Sequence, residues 1–393
     1  MGSIIYNKYR DVTILIMNRK FFGAVSLLVG TTIGVGIFGL PYAISRVGFP
    51  LGILFFLVIG IANLILNLAY AELILSTPGD HQLPGYAEIY LGKVWKVVAS
   101  IFLTFVLYGV LLAYLIKIGE LLNFLFPFLP PAILAVGFYL ITSGIVFFGG
   151  KLVVRISGVG AFLLLVLISC LIAFGAWSVK IENLLLVPAS LGANLLLPYG
   201  VLIFALSGSA IIPEVEEAVR EKRQDLFRAI VIGSLIPTII YLIFSAVVIG
   251  ISGTEIKEDA VLSLLTALPL WVISFGAILG SLAIFNASLN TRLVISEMFR
   301  RDFGLSKKLA WILSCLPPLL IYLLGVRSFI KVISLIGSLG LGVSGGLIIL
   351  SLVRARYQSS RQPESKLRLG NSILIFVGLL FTLGAFLEIL KLW

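Results

Sequence analysis

Apolar runs of roughly 20 residues, the length that crosses a hydrocarbon core of about 30 Å, recur from one end of this chain to the other. They fall near Lys20–Val47, Pro50–Ser76, Trp95–Phe126, Ala132–Phe148, Leu152–Trp177, Leu191–Glu214, Leu226–Gly250, Pro269–Met298, Leu309–Gly325, Phe329–Val353 and Asn371–Leu390. No gap between them is long enough for a water-soluble domain. In lipid every backbone N–H and C=O must be satisfied internally, so such runs read as helices. The expectation is an all-α integral membrane protein of about eleven transmembrane helices, one domain over residues 1–393. Composition agrees: 60% hydrophobic against 12% charged residues leaves too little polar surface for a soluble globule.

Charge sets the orientation. Of the 29 lysines and arginines, all but Arg46, Lys117, Lys180, Lys257, Arg327, Lys331 and Lys391 fall on one set of alternate connections, Arg292 counted among them. The positive-inside rule then puts the N-terminus in the cytoplasm and the C-terminus outside, in a cell (plasma or inner) membrane. The same rule accounts for the net charge of +11 as a rim facing lipid headgroups, with no nucleic-acid partner. The tail before Lys20 has no small-residue cleavage site of the signal-peptide kind. Cys170 and Cys315 lie in different spans and suggest neither a disulfide framework nor a metal site.

Two spans carry sequence that interrupts a helix. The first contains GTTIGVGIFGLP, Gly30 to Pro41, and the sixth contains FALSGSAIIPE, Phe204 to Glu214. Gly36 precedes Pro41 by the same interval as Gly208 precedes Pro213. Paired interruptions five spans apart are the mark of an inverted-repeat transporter, whose broken helices face a site at the bilayer midplane. The repeats would cover about 20–178 and 190–353, with one extra helix at about 371–390.

The residues around these breaks resemble a known family. GTTIGVGIFGLPYAISRVGFPLG, Gly30 to Gly52, resembles the first-span signature of the amino acid–polyamine–organocation superfamily. Its LPYA close resembles the amino acid/auxin permeases and the hydroxy and aromatic amino acid permeases. YAELILSTPGDHQLPGYAEIYLG, Tyr70 to Gly92, and FALSGSAIIPEVEEAVREKRQDLFRAI, Phe204 to Ile230, are similar to further segments of such permeases. The resemblance implies a secondary active transporter that moves a neutral amino acid, aromatic or branched ones included, by alternating access and ion-coupled symport. It would work as a monomer or homodimer and need no cofactor beyond a coupling proton or sodium ion.

Broken helices offer a zwitterion both of its partners. Free N–H groups at Gly34, Val35 and Gly36 suit a carboxylate, and carbonyls near Thr31, Thr32, Phe204, Ala205 and Ser207 suit an ammonium. Gly208 adds room for a side chain. Phe204 matches the place where related transporters put an aromatic gate, and Tyr108 is placed to offer a hydroxyl to a carboxylate. No ionised residue falls clearly in the middle of the membrane, which argues against a dibasic substrate. Lys117 and Glu120 can pair across one helical turn.

For the coupling ion, sodium-coupled relatives use first-span carbonyls, here those of Gly30 and Ile33, with eighth-span oxygens, which fall at Asn286 and near Ser288. The hydroxyl pair of those relatives is missing, which favours a proton carried by Glu72 or Glu214. Glu72 also reads as a packing or gating acid. His81, alone in a loop, reads as solvated. An exchanger and a transporter-like nutrient sensor remain as alternatives. A membrane-embedded transferase is a more distant one, because no catalytic or metal-binding motif is visible.

Overall fold

In the computed structural model, the described residues are 20–148, 162, 165–166, 168–186, 196–253, 256 and 269–391. Their regular structure is helical throughout. The helices are α1 (Lys20–Thr32), α2 (Gly36–Ser45), α3 (Phe49–Ser76), α4 (Leu83–Leu91), α5 (Lys93–Leu125), α6 (Pro131–Phe148), α7 (168–176) and α8 (Ile181–Leu184). They continue as α9 (Leu196–Leu206), α10 (Ile212–Ala218), α11 (Leu226–Ser252), α12 (Leu270–Arg301), α13 (Lys307–Leu323), α14 (Phe329–Leu335), α15 (Gly342–Gln358) and α16 (Asn371–Lys391).

Among the described residues, eight helical stretches are long and apolar enough to cross a membrane, and the bent pair α1–α2 makes nine. These account for nine of the eleven apolar runs. The run at Leu309–Gly325 forms α13, whose 17 residues, two of them Pro317 and Pro318, fall just short of a full crossing. Half of the run at Leu152–Trp177 lies outside the described residues, as do Lys8, Arg10, Lys257 and the start of the sixth run.

The spans are apolar on nearly every side, so neighbours rather than amphipathicity decide which face turns inward. On α3, Leu54, Leu57 and Ile61 point outward, while Asn63, Asn67 and Glu72 are buried. Packing joins α2 to α9, α5 to α12, α3 to both α11 and α15, and α15 to α16. Between α14 and α15 the tenth span widens into a π-turn, Ile336–Leu341, that lies against α9. Gly337 permits this approach: a Cβ there would fall 1.8 Å from the Gly200 carbonyl oxygen, so only a bare backbone fits.

Candidate functional site

Both expected breaks are present. Between α1 and α2 the chain bends by 54° across Ile33–Val35, and Gly34 N–H turns back onto Thr32 O at 2.9 Å. Between α9 and α10 the helix gives way at Ser207–Gly208 to a 3-10 turn, Ser209–Ile211, before Pro213 opens the next helix. The two breaks touch. A Cβ on Gly36 would lie 2.7 Å from both Cα and Cβ of Ala205, closer than van der Waals contact allows.

Side chains from other helices cap the exposed ends, as broken backbone inside a membrane requires. Tyr241 of α11 donates its hydroxyl to Thr32 O at 2.8 Å. Asn63 of α3 donates its amide to Leu206 O. The Thr32 carbonyl, expected from sequence to be open to a ligand, is therefore occupied. The Thr32 hydroxyl is different: it is buried and has no hydrogen-bond partner among the described residues.

Beside the breaks lies a cavity with about 520 Å³ of empty space, counted out to its mouth. It is lined by Thr31, Thr32, Gly34, Gly36, Phe204, Ala205 and Ser207 from the two broken spans. Val106, Leu107, Val110 and Tyr114 of α5, with Ala210, Thr291 and Leu341, complete the wall. None of these side chains is ionisable to a charged form near neutral pH. The start of α2 has no side-chain cap at Val35; Phe38 N–H bonds Val35 O at 3.2 Å, and Gly36, the first residue of the helix, stands on the cavity wall.

Three expected site residues stand elsewhere. Val35 is buried in the turn and does not line the cavity. The Gly208 Cα faces Leu28 and the Thr32 hydroxyl. Tyr108 donates its hydroxyl to Leu313 O at 2.6 Å and so ties α5 to α13. The tyrosine that reaches the cavity is Tyr114, whose hydroxyl oxygen lies 3.1 Å from the Cβ position of Gly34. Leu107, Val110 and Tyr114 follow the i, i+3, i+7 spacing of one helical face, and Tyr108 is about 100° off it.

α12 meets the first break through Ala287, 3.6 Å from the Cβ position of Gly34, and through Asn290, which donates to Thr31 Oγ1 at 3.3 Å. Gly30 lies in the last turn of α1 and Ile33 in the break, with Asn286 and Ser288 buried in α12. Ser288 Oγ bonds the Phe285 carbonyl, and the Ser288 carbonyl accepts Arg292 Nη1 at 3.1 Å. Arg292, which the charge tally assigned to a connection, is instead fully buried within α12.

The two acids expected as proton carriers have distinct surroundings. Glu72 takes Arg356 Nε and Nη2 at 2.8 Å each and Leu367 N–H at 2.9 Å, a tight ion pair between α3 and α15. Glu214 accepts Gln82 Nε2 at 2.6 Å through Oε1, while Oε2 is buried with no partner among the described residues. Around Glu214 the basic end of the bundle is laced by Lys20–Glu221, Arg220–Asp80, Arg223–Glu216 and Arg301–Glu217. Lys117 pairs with Glu120 at 2.8 Å, as the spacing suggested.

Asp302, just past α12, holds the loop before α4 through Gln82 and Gly85 N–H, both 3.3 Å, with His81 3.9 Å away. Burial pushes its carboxyl up to about 6, against those N–H bonds and the charges of Lys96 and Arg301. His81 is lowered, mainly by burial. A carboxyl raised on folding stabilises the fold below the ordinary carboxylate range, and that stability is lost as pH rises through about 6. The thermal midpoint of Asp302→Asn is therefore expected to gain on that of the wild type between about pH 4 and pH 6.5. Asp302→Asn also alters the field at His81, 3.9 Å away, so the comparison is repeated in a His81→Gln background; a flat difference curve there would contradict this assignment.

A helical bundle whose two interrupted spans meet beside one cavity with an uncharged lining has the layout of a transporter. The chain matches the tryptophan/tyrosine permease family over residues 17–389 and belongs to that family. It is 24% identical over 379 residues to a tyrosine-specific transport system of Haemophilus influenzae, covering 91% of this chain and 94% of that one. It is 23% identical to a low affinity tryptophan permease of Escherichia coli (87% and 88% covered). A glutamine transporter of Aliivibrio fischeri is 21% identical (93% and 98% covered). Among solved structures, MhsT in complex with L-phenylalanine shares the fold with a TM-score of 0.70 at 18% identity, covering 92% of this chain and 98% of that one. The protein is an amino acid permease and not an enzyme.

Proposed function

We propose that the protein is a proton-coupled symporter of large neutral amino acids that works by alternating access. The observation that carries this reading is the contact of Gly36 with Ala205, which sets both breaks against one cavity. The first-turn N–H groups of α2 and the Tyr114 hydroxyl suit a carboxylate, and the unpartnered Thr32 hydroxyl suits an ammonium. Phe204, Val106, Leu107, Val110 and Leu341 offer an apolar wall to the side chain. The names of the tyrosine and tryptophan relatives support an aromatic substrate, and that of the glutamine relative keeps the class at large neutral amino acids.

Two inverted repeats, about 20–178 and 190–353, supply the moving halves, with the basic end of the bundle in the cytoplasm. A buried cation at Arg292, bonded to the carbonyl of Ser288, disfavours a sodium ion among Gly30, Ile33, Asn286 and Ser288. Glu72 is committed to Arg356, whereas Glu214 keeps an unpartnered buried oxygen that a proton would satisfy. Glu214 is thus the proton carrier in this reading.

The test is uptake of labelled L-tyrosine, L-tryptophan, L-phenylalanine and L-glutamine into proteoliposomes with proton and sodium gradients imposed separately. An inward proton gradient should drive accumulation, and Glu214→Gln should lose accumulation while keeping exchange. Accumulation driven by sodium alone, and kept by Glu214→Gln, would overturn the assignment.

A further inference from the structure

Arg292 is a fully buried guanidinium inside a membrane-spanning helix, nine residues from the end of α12. Its contacts are neutral. Nη1 donates to Ser288 O at 3.1 Å, the guanidinium carbon lies 4.1 Å from the centre of the Tyr139 ring, and Nε has no partner among the described residues. Tyr139 is held by its own donation to Cys315 O at 2.7 Å, which leaves its hydroxyl oxygen free to accept from Arg292. By contrast, the half-buried Arg356 and the buried Lys117 pair with Glu72 and Glu120.

A charge in the bilayer interior is costly, and an apolar side chain would fill the same volume at less expense. The residue next to it explains where its field goes. Thr291 lines the cavity, and the Tyr114 hydroxyl, also on the cavity wall, lies against Thr291 and within the field of Arg292. Among the described residues no acidic side chain lines the cavity, and the start of α2 adds partial positive charge of its own. Arg292 and the start of α2 thus both bias this cavity toward a negative charge, which its lining does not supply.

We propose that Arg292 is a fixed positive charge that makes this cavity select ligands bearing a free carboxylate, acting as a positioning residue through Thr291 and Tyr114. The inference rests on the reading of the cavity as an amino acid site and goes further, by naming what distinguishes an amino acid from its amide or amine. The ligand carboxylate is the counter-ion that Arg292 lacks.

The experiment is equilibrium binding to purified protein of L-tyrosine, L-tryptophan, L-phenylalanine and L-glutamine, each compared with its α-carboxamide. Wild type should prefer the acid by about 100-fold, equivalent to about 2.7 kcal/mol. Arg292→Gln should lose at least about tenfold of that preference, as a charge effect in a site of low dielectric would. Arg292→Met provides a second neutral variant that leaves no polar group to satisfy. Arg292→Lys keeps the charge and should stay within about threefold of wild type. An unchanged preference in a folded neutral variant, or a loss in Arg292→Lys as large as in Arg292→Gln, overturns the proposal. If both neutral variants misfold, the wild type decides: a preference below about threefold overturns it. Failure of wild type to bind any of the four amino acids overturns the site reading itself, a result distinct from binding without carboxylate preference.

Discussion

Gly36→Val is expected to abolish transport while the protein still inserts and purifies as a single species. Even the first carbon of a side chain at this position would sit 2.7 Å from Ala205 Cα, and a backbone atom cannot swing aside as a flexible side-chain end can. The two breaks must then separate, and the first-turn N–H groups of α2 no longer face the cavity. A displacement of about 1 Å in a site built on aligned donors costs on the order of 100-fold. Gly34→Ala makes the useful contrast. Its Cβ would meet the Tyr114 hydroxyl at 3.1 Å and Ala287 Cβ at 3.6 Å, neighbours that can yield. The expected loss is about tenfold, the value of one hydrogen bond to a charged group. Uptake rates in proteoliposomes at matched protein content check both, and equal activity of Gly36→Val and wild type would contradict the contact.

Arg356→Ala carries the second large effect, this time on stability. Removing the guanidinium leaves the Glu72 carboxylate, which is 1% exposed, with only the Leu367 N–H for company. Breaking a buried ion pair from one side costs about 3–5 kcal/mol, because the surviving charge is stranded. Arg356 also holds the carbonyls of Leu367 and Leu369 and the side chain of Asn371, so its loss frees the chain leading into α16. A clear fall in the thermal midpoint of the detergent-solubilised protein is expected. Glu72→Gln with Arg356→Gln together should recover part of that fall, since no net charge is then stranded. A midpoint for Arg356→Ala equal to that of the wild type would show that the pair contributes nothing.

The positions of the breaks were legible because their cause is local: Gly, Ser and Pro interrupt a helix wherever they stand. What stabilises the breaks was not, because Tyr241 and Asn63 reach Thr32 and Leu206 from helices distant in sequence. That Tyr114 rather than Tyr108 reaches the cavity was hidden for a related reason. A span that is apolar on every side gives no periodic signal of its inner face, and only packing against α12 and α13 decides it. Arg292 was misassigned because a charge tally treats any arginine near a helix end as part of a connection; α12 runs nine residues beyond it. The Glu72–Arg356 pair joins residues 284 apart, a distance at which a single sequence carries no pairing information.

The central claim is that one cavity between the two breaks binds a neutral amino acid for transport. Its most direct test is counterflow exchange in proteoliposomes with a panel of labelled large neutral, small neutral, acidic and dibasic amino acids, run on wild type and Gly36→Val side by side. The account predicts saturable exchange of at least one large neutral L-amino acid, competed by its neutral analogues and lost in Gly36→Val. Exchange that favours dibasic amino acids, or that persists undiminished in a well-folded Gly36→Val, would contradict it.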